Sequence, residues 1–315
     1  MDFSVVAVAR EDDSPVEEPV RVAVAADRLG YREVWAGEGP TWDSFVLATA
    51  IGGATERVAV TAGPVPVNVR DPYTIARGAA SVAALTGRPV GVALGTSSKR
   101  VVEGVHGVPR ARPAAVLAEA AEAVRRHLRA EPGGAVGAFR RRLPPPGGPL
   151  TVAAFGPRAI AAAAAHADRM LLDVVSPEQV RELRGALDAA ARNLGRTAPT
   201  LAAWLPAAVD PGPESLAQVL GSIAGYLTVP GYSEVFADAG FGAAVELAAS
   251  GADRETLLWA LPPEAAATLG LVGDLDTVRA RVDAYADAGL DEIALVPATA
   301  GDPGGERTLR ALKPV

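Results

Sequence analysis

The sequence predicts an α/β protein: a (β/α)8 barrel of the TIM type, with a helical insertion before the last expected helix. Three observations predict it. Short apolar runs alternate with helical segments along the whole chain. Eight of those runs have strand character, the number a closed parallel barrel needs. Several are apolar at successive positions, as in Val90, Gly91, Val92, Ala93, Leu94 and Gly95, the pattern of a strand covered on both faces. A barrel of this kind takes about 250 residues, so a chain of 315 residues has room for one barrel and an excursion. We read residues 1–315 as one domain, with a loop excursion at 131–149 and a helical insertion at about 228–270.

The first strand is expected at 3–9. Ser14, Pro15, Glu17 and Glu18 supply a cap, a proline and acids for a helix start, and Gly30 ends that helix. A second strand follows at 33–36, and Trp42, Asp43 and Ser44 open a second helix through 54. The third strand is expected at 58–65 and a third helix from Pro72 to Gly87. The fourth strand ends in Gly95, and a long helix is expected at 112–130. After the Gly-, Pro- and Arg-rich excursion come a fifth strand at 150–154, a helix opened by Gly156 and Pro157, and a sixth strand at 168–173. A helix at 177–194, a seventh strand at 200–209, helices across 213–269, a helix at 273–288 and an eighth strand at 292–296 complete the reading.

Composition removes several functions. The net charge is -7, and nucleic-acid binding rests on a broad basic surface. With no cysteine there is no disulfide framework, thiolate zinc site or cysteine nucleophile. The histidines, His106, His127 and His166, stand far apart, so no metal site is expected. Charges and prolines interrupt every apolar run before it reaches membrane-spanning length, and the chain starts on a strand with no leader pattern. The expectation is a cytoplasmic protein acting on a small-molecule substrate, without nucleic acid or membrane. A homodimer is allowed by the sequence, not required.

In such a barrel the chemistry gathers where the strands end. Gly95, Thr96, Ser97 and Ser98 close the fourth strand with close backbone access and three hydroxyls, and Lys99 and Arg100 follow. This reads equally as a capped turn into a helix or as a phosphate site. Gly156, Pro157 and Arg158 open a helix with free N–H groups and a cation, an anion site or an ordinary turn. The two loops follow neighbouring strands, so both can grip one phosphate. Glu38 is the acid at a strand end in the first half of the chain. Trp42, Trp204, Tyr226, Tyr232 and Trp259 read as packing groups, a few of them able to line a flat pocket.

Five stretches carry a family resemblance: ADRLGYREVWAGEG at 26–39, GPVPVNVRDPYTIARGAASVAALTGRPVGVALGTSS at 63–98, VVEGVHGVPRARP at 101–113, AAFGPRAIAAAAAHADRMLL at 153–172, and VGDLDTVRARVDAYADAGLDEIALVP at 272–297. In order and spacing the chain resembles the luciferase-like monooxygenase superfamily, and within it the oxidoreductases that use the deazaflavin coenzyme F-420. The resemblance implies a coenzyme at the C-terminal face of the barrel. Its phosphate would lie near Gly95, Thr96, Ser97, Ser98, Gly156, Pro157 and Arg158. Its ring would lie over a bulge at Ala62, Gly63 and Pro64 that often carries a cis peptide. The chain departs from the family in two places: Gly39 stands where a proton-transferring histidine is common, and Ser98 where some members have glutamate.

These departures fit a reductase of an activated C=C or C=N bond better than an alcohol or sugar-phosphate dehydrogenase. Glu38 is then the expected proton-handling or ring-orienting group, with Asp43, at a helix start, the weaker candidate. The alternatives are a two-component monooxygenase using FMN, and a coenzyme-binding protein that has lost catalysis. A long acidic coenzyme tail favours F-420 wherever Lys99, Arg100, Arg110 and Arg112 line its path.

Overall fold

The structure, a computed structural model, describes residues 1–130, 142–227, 229 and 232–313, with the backbone of the paired segments Ala135–Val136 and Phe139–Arg140. Eight parallel strands form the barrel: β1 (Asp2–Ala7), β2 (Glu33–Ala36), β3 (Ala59–Pro66), β4 (Val90–Gly95), β5 (Gly147–Ala153), β6 (Arg169–Asp173), β7 (Thr200–Val209) and β8 (Glu292–Pro297). Each pairs with its successor in sequence, and β8 pairs with both β7 and β1, which closes the sheet. A three-residue strand, Leu271–Gly273, adds to the end of β7. Much of the expected 131–149 excursion falls outside the described residues, as do 228, 230 and 231 of the expected insertion.

The helices match their sequence signals. They are α1 (Glu18–Leu29), α2 (Ser44–Ala54), α3 (Pro72–Thr86), α4 (Pro113–Leu128), α5 (Pro157–His166), α6 (Pro177–Asn193) and α7 (Pro213–Ala224). Asp43 caps α2 through the N–H groups of Phe45 and Val46, and Asp71 caps α3. Ser176 and Gln179 form a reciprocal capping box at α6. The first helix begins at Glu18, later than Ser14 and Pro15 suggest, because residues 11–17 form bends and turns that reach the barrel mouth. Past α7 come α8 (Tyr232–Phe236), α9 (Gly242–Ala249), α10 (Arg254–Ala260), α11 (Glu264–Thr268), α12 (Leu275–Asp287) and α13 (Glu306–Ala311). The insertion therefore precedes α12. The six-residue α13 follows β8 and is too short to show helical periodicity in the sequence.

Side chains alternate across each strand, which sorts the barrel into an outer and an inner core. Outward residues such as Met170 and Leu172 pack under the helices. Inward residues Val6, Trp35, Ala93, Leu171, Ala202, Trp204 and Ala294 fill the middle of the barrel. The Trp35 and Trp204 rings meet edge to face at 5.7 Å. A third cluster joins α7 to the insertion through Ile223, Leu227, Phe236, Leu257 and Leu269, and includes Val174, Ala208 and Ala298 just beyond or near the ends of β6, β7 and β8. The insertion thus covers the C-terminal face on that side.

At the N-terminal end, below the tryptophans, lies a buried ion network. Arg169 donates to Glu33 at 2.7 and 2.9 Å, to Glu292 at 2.7 Å, and to Thr151 and Thr61 at 3.1 and 3.3 Å. Its guanidinium lies 4.1 Å from the centre of the Trp35 ring. Burial pushes the Glu292 carboxyl above its ordinary value, against the pull of Arg169. Removing the cation leaves the buried Glu292 facing the partly buried Glu33 with no counter-charge between them. Arg169→Met should cost about 3–5 kcal/mol, read as a lower urea midpoint at pH 7. Adding Glu33→Gln and Glu292→Gln should recover part of it.

Candidate active site

The C-terminal mouth is built from the strand ends named in the sequence. The Gly63–Pro64 peptide is cis. The register of β3 against β4 shifts between Ala62 and Val65, so a bulge stands where the family pattern implies one. Gly63 has φ 114°, and a Cβ there would lie 2.4 Å from the Ala93 carbonyl oxygen, so another residue would push β3 and β4 apart. Gly95 packs between Pro64 and Ala153.

The β4 and β5 loops are neighbours, since Leu94 registers with Val152. Beyond Gly95 the chain passes Ser97 at φ 54° and winds one π-helical turn, Arg100–Val105, with the Ser98 hydroxyl accepting from the Val101 N–H at 3.3 Å. Arg110 braces this loop, donating to the Ser97 carbonyl at 2.8 Å and to the Thr96 hydroxyl at 3.1 Å. Lys99 and Arg100 are exposed and lie 3.6 Å from Glu103 and Glu11. Across from them, Gly156 begins α5 without a side-chain cap, and Arg158 is exposed. The two expected anion loops therefore stand side by side.

Glu38 has both oxygens engaged. Oε2 accepts the Ser44 N–H at 2.8 Å and Oε1 accepts from Arg70 at 2.6 Å, while Arg70 also donates to Asp43 at 2.8 Å. Burial raises the Asp43 pKa, but the Arg70 hydrogen bond and the two backbone N–H groups outweigh it and hold the carboxyl below its ordinary value. Arg70, half-buried beside Phe45, thus ties the end of β3 to the start of α2. Trp42 donates to the Val16 carbonyl, and Trp259 is exposed, away from this cluster.

One group that sequence reading passed over lies across the mouth. Asp173 ends β6. Counting alternate positions up from Arg169 and Leu171 places it on the inner face. Tyr232 donates to its Oδ2 at 2.8 Å, and the Tyr226 hydroxyl bonds the same carboxylate. The two phenol rings lie 4.6 Å apart, and Phe155 meets Tyr232 at 5.0 Å. Burial pushes the Asp173 carboxyl up to about 6, against the two phenol hydrogen bonds. The Asp173 charge and burial raise Tyr226; burial and Asp173 raise Tyr232. On the β1 side of the mouth, Arg10 donates to the Ser222 hydroxyl and the Pro297 carbonyl beside a cavity of about 200 Å³. Among the described residues no cluster of three or more His, Asp or Glu side chains suits a metal ion. No described helix is long and apolar enough to cross a membrane.

The Arg70 clamp yields a pH-dependent prediction. Arg70→Ala should lower stability at pH 7 by about 1–2 kcal/mol, the half-exposed Asp43 arm adding little. Because the folded state depresses the Asp43 pKa, the stability it contributes is present above its ordinary value of about 3.9 and fades as pH falls through the lower folded value. Thermal unfolding from pH 7 to pH 3 should show the gap between wild type and variant narrowing at the acid end.

Comparison with known proteins agrees with this architecture. No curated protein is found to be similar. Three of the solved structures that share the fold over 99% of this chain illustrate its range. One is a coenzyme F-420-dependent tetrahydromethanopterin reductase from Methanopyrus kandleri, at 15% identity and TM-score 0.78 over 98% of its length. The second is an F-420-dependent secondary alcohol dehydrogenase in complex with an F-420–acetone adduct, at 16% and 0.76 over 99% of its length. The third, from Pseudomonas putida, is the oxygenating constituent of 3,6-diketocamphane monooxygenase, a type II Baeyer-Villiger monooxygenase in complex with FMN, at 13% and 0.71 over 97%. The luciferase-like monooxygenase family pattern matches residues 1–292, and the chain belongs to that family.

Proposed function

We propose that the chain is an F-420-dependent oxidoreductase, a reductase that passes hydride to a small organic substrate with an activated C=C or C=N bond. The observation that carries this reading is the pair of adjoining loops at the β4 and β5 ends. Arg110 holds the first in shape, and Arg158 heads α5 in the second with its side chain open to solvent. Such a pair suits the phosphate of a flavin-type coenzyme. Lys99, Arg100 and Arg112 extend positive charge beyond the first loop, which favours a coenzyme with a long acidic tail over FMN. Structural relatives that bind F-420 or FMN agree with a coenzyme of this class.

Gly95, Thr96, Ser97, Ser98, Gly156, Pro157 and Arg158 would hold the phosphate, and Ala62, Gly63 and Pro64 would support the ring. The bound deazaflavin supplies the hydride. Glu38 was expected to handle a proton or orient the ring; both its oxygens already serve Arg70 and the start of α2, which favours a structural carboxylate that orders the β2 and β3 loops.

Fluorescence titration tests the coenzyme. F-420 should bind more tightly than FMN, and its affinity should fall with added salt as charged contacts are screened. FMN affinity equal to or better than that of F-420 would defeat the assignment and favour the monooxygenase reading. Arg158→Ala should weaken F-420 binding by about 1–3 kcal/mol while leaving thermal stability unchanged. Unaltered affinity would place the phosphate elsewhere.

A further inference from the structure

We propose that Asp173, held by Tyr226 and Tyr232 at the inner mouth of the barrel, is the acid that gives the substrate its proton; this step rests on the reductase reading above.

Position is the first argument. The inner face of β6 carries Arg169 at the closed end, Leu171 in the middle and Asp173 at the mouth. Strands β5 and β6 are neighbours, with Ala153 opposite Leu171. Phe155, which packs on Tyr232, immediately precedes Gly156, Pro157 and Arg158. An aromatic wall therefore runs from the proposed phosphate loop to the carboxyl.

The second argument is an orphan donor. Trp204 on β7 is the register partner of Asp173. Its indole N–H is buried and makes no hydrogen bond. A buried donor without an acceptor is costly, and a substrate oxygen beside Asp173 would satisfy it.

Electrostatics is the third. The groups facing the carboxyl are the two phenols. Arg10 and Glu11 act on Tyr226, and Arg10 is itself committed to Ser222 and Pro297. Among the described residues no cation touches Asp173, so burial keeps a proton available close to neutral pH, where a general acid works best. Donors without a cation select an uncharged, planar substrate bearing a carbonyl, such as an enone.

The step balances. Hydride from the reduced deazaflavin forms a new bond at the electrophilic carbon of the C=C or C=N, and the π pair moves to the other atom. The Asp173 O–H bond breaks, and its proton forms the C–H or N–H bond there. The deazaflavin is oxidised and the substrate reduced. Tyr226 and Tyr232 hydrogen-bond the carboxylate that remains, and water returns its proton.

The test uses full-length protein, F-420 and 2-cyclohexenone with related uncharged enones. Asp173→Asn should bind F-420 within twofold of wild type, yet oxidise reduced F-420 at least about 100-fold more slowly. In wild type kcat should fall as pH rises through about 6, and the variant should lack that limb. Tyr232→Phe removes a hydrogen bond that favours the carboxylate, so it should move the limb upward. Carboxyl NMR of aspartate-labelled protein without coenzyme gives a separate readout: one resonance should titrate near 6 and vanish in Asp173→Asn. An ordinary midpoint near 4, or a full-rate Asp173→Asn in an active wild type, overturns the role of Asp173 alone. A wild type that fails to bind F-420 overturns the reductase reading and takes this step with it. With coenzyme bound but every enone inert, the carboxyl midpoint decides.

Discussion

A closed barrel must fill its own axis, and in this chain one guanidinium does so at the closed end. Arg169 reaches from β6 to acids on β2 and β8 and to threonines on β3 and β5, with the Trp35 face against it. Five of eight strands are tied to one cation. Above it the tryptophan layer separates charge from the mouth. The barrel is thus shut by ionic contacts below and by aromatic packing in the middle. The C-terminal end carries no such ionic layer among the described residues, in keeping with the division between stability and chemistry that this fold permits.

Much of the architecture was legible in local chemistry. Strands β2 and β7 lie where their apolar runs end, and Asp43, Asp71, Gly30 and Gly87 mark helix ends as their types require. The loops at 95–98 and 156–158 were legible because glycine, hydroxyl and proline signals are local. Partnership was not. Glu38 looked like a lone acid at a strand end because Arg70 lies 32 residues away in sequence. Asp173 read as the polar end of a strand because Tyr232 is 59 residues further on, inside the insertion. Arg169 drew no notice within the expected strand at 168–173, because only closure of the barrel decides which face of β6 turns inward. Long-range pairing is what a linear pattern withholds.

The functional reading follows the same division. Family membership rests on the whole barrel, whereas coenzyme and substrate rest on a few side chains at its mouth. In the proposed reading a phosphate cradle would serve F-420 and FMN alike, so the choice would rest on Lys99, Arg100 and Arg112 beyond it, with Glu103 beside Lys99 and Glu11 beside Arg100. Two acids of the mouth, Glu38 and Asp173, have separate work in this account. Glu38 sits under a cation and orders the β2 and β3 loops, whereas Asp173 sits among phenols with no cation on it among the described residues. Two carboxyl groups whose surroundings differ in this way are the usual means of dividing structural from proton-carrying duty.

The central claim is that one mouth holds the deazaflavin phosphate between the β4 and β5 loops and presents its ring toward Asp173. A crystal structure of the protein grown with F-420 tests it most directly. The account predicts phosphate density against Ser97, Ser98 and Arg158, with the ring over Gly63 and Pro64 and one face open toward Asp173 and Trp204. Density for the coenzyme outside the C-terminal mouth, or a ring turned away with Asp173 sealed from it, would contradict the account.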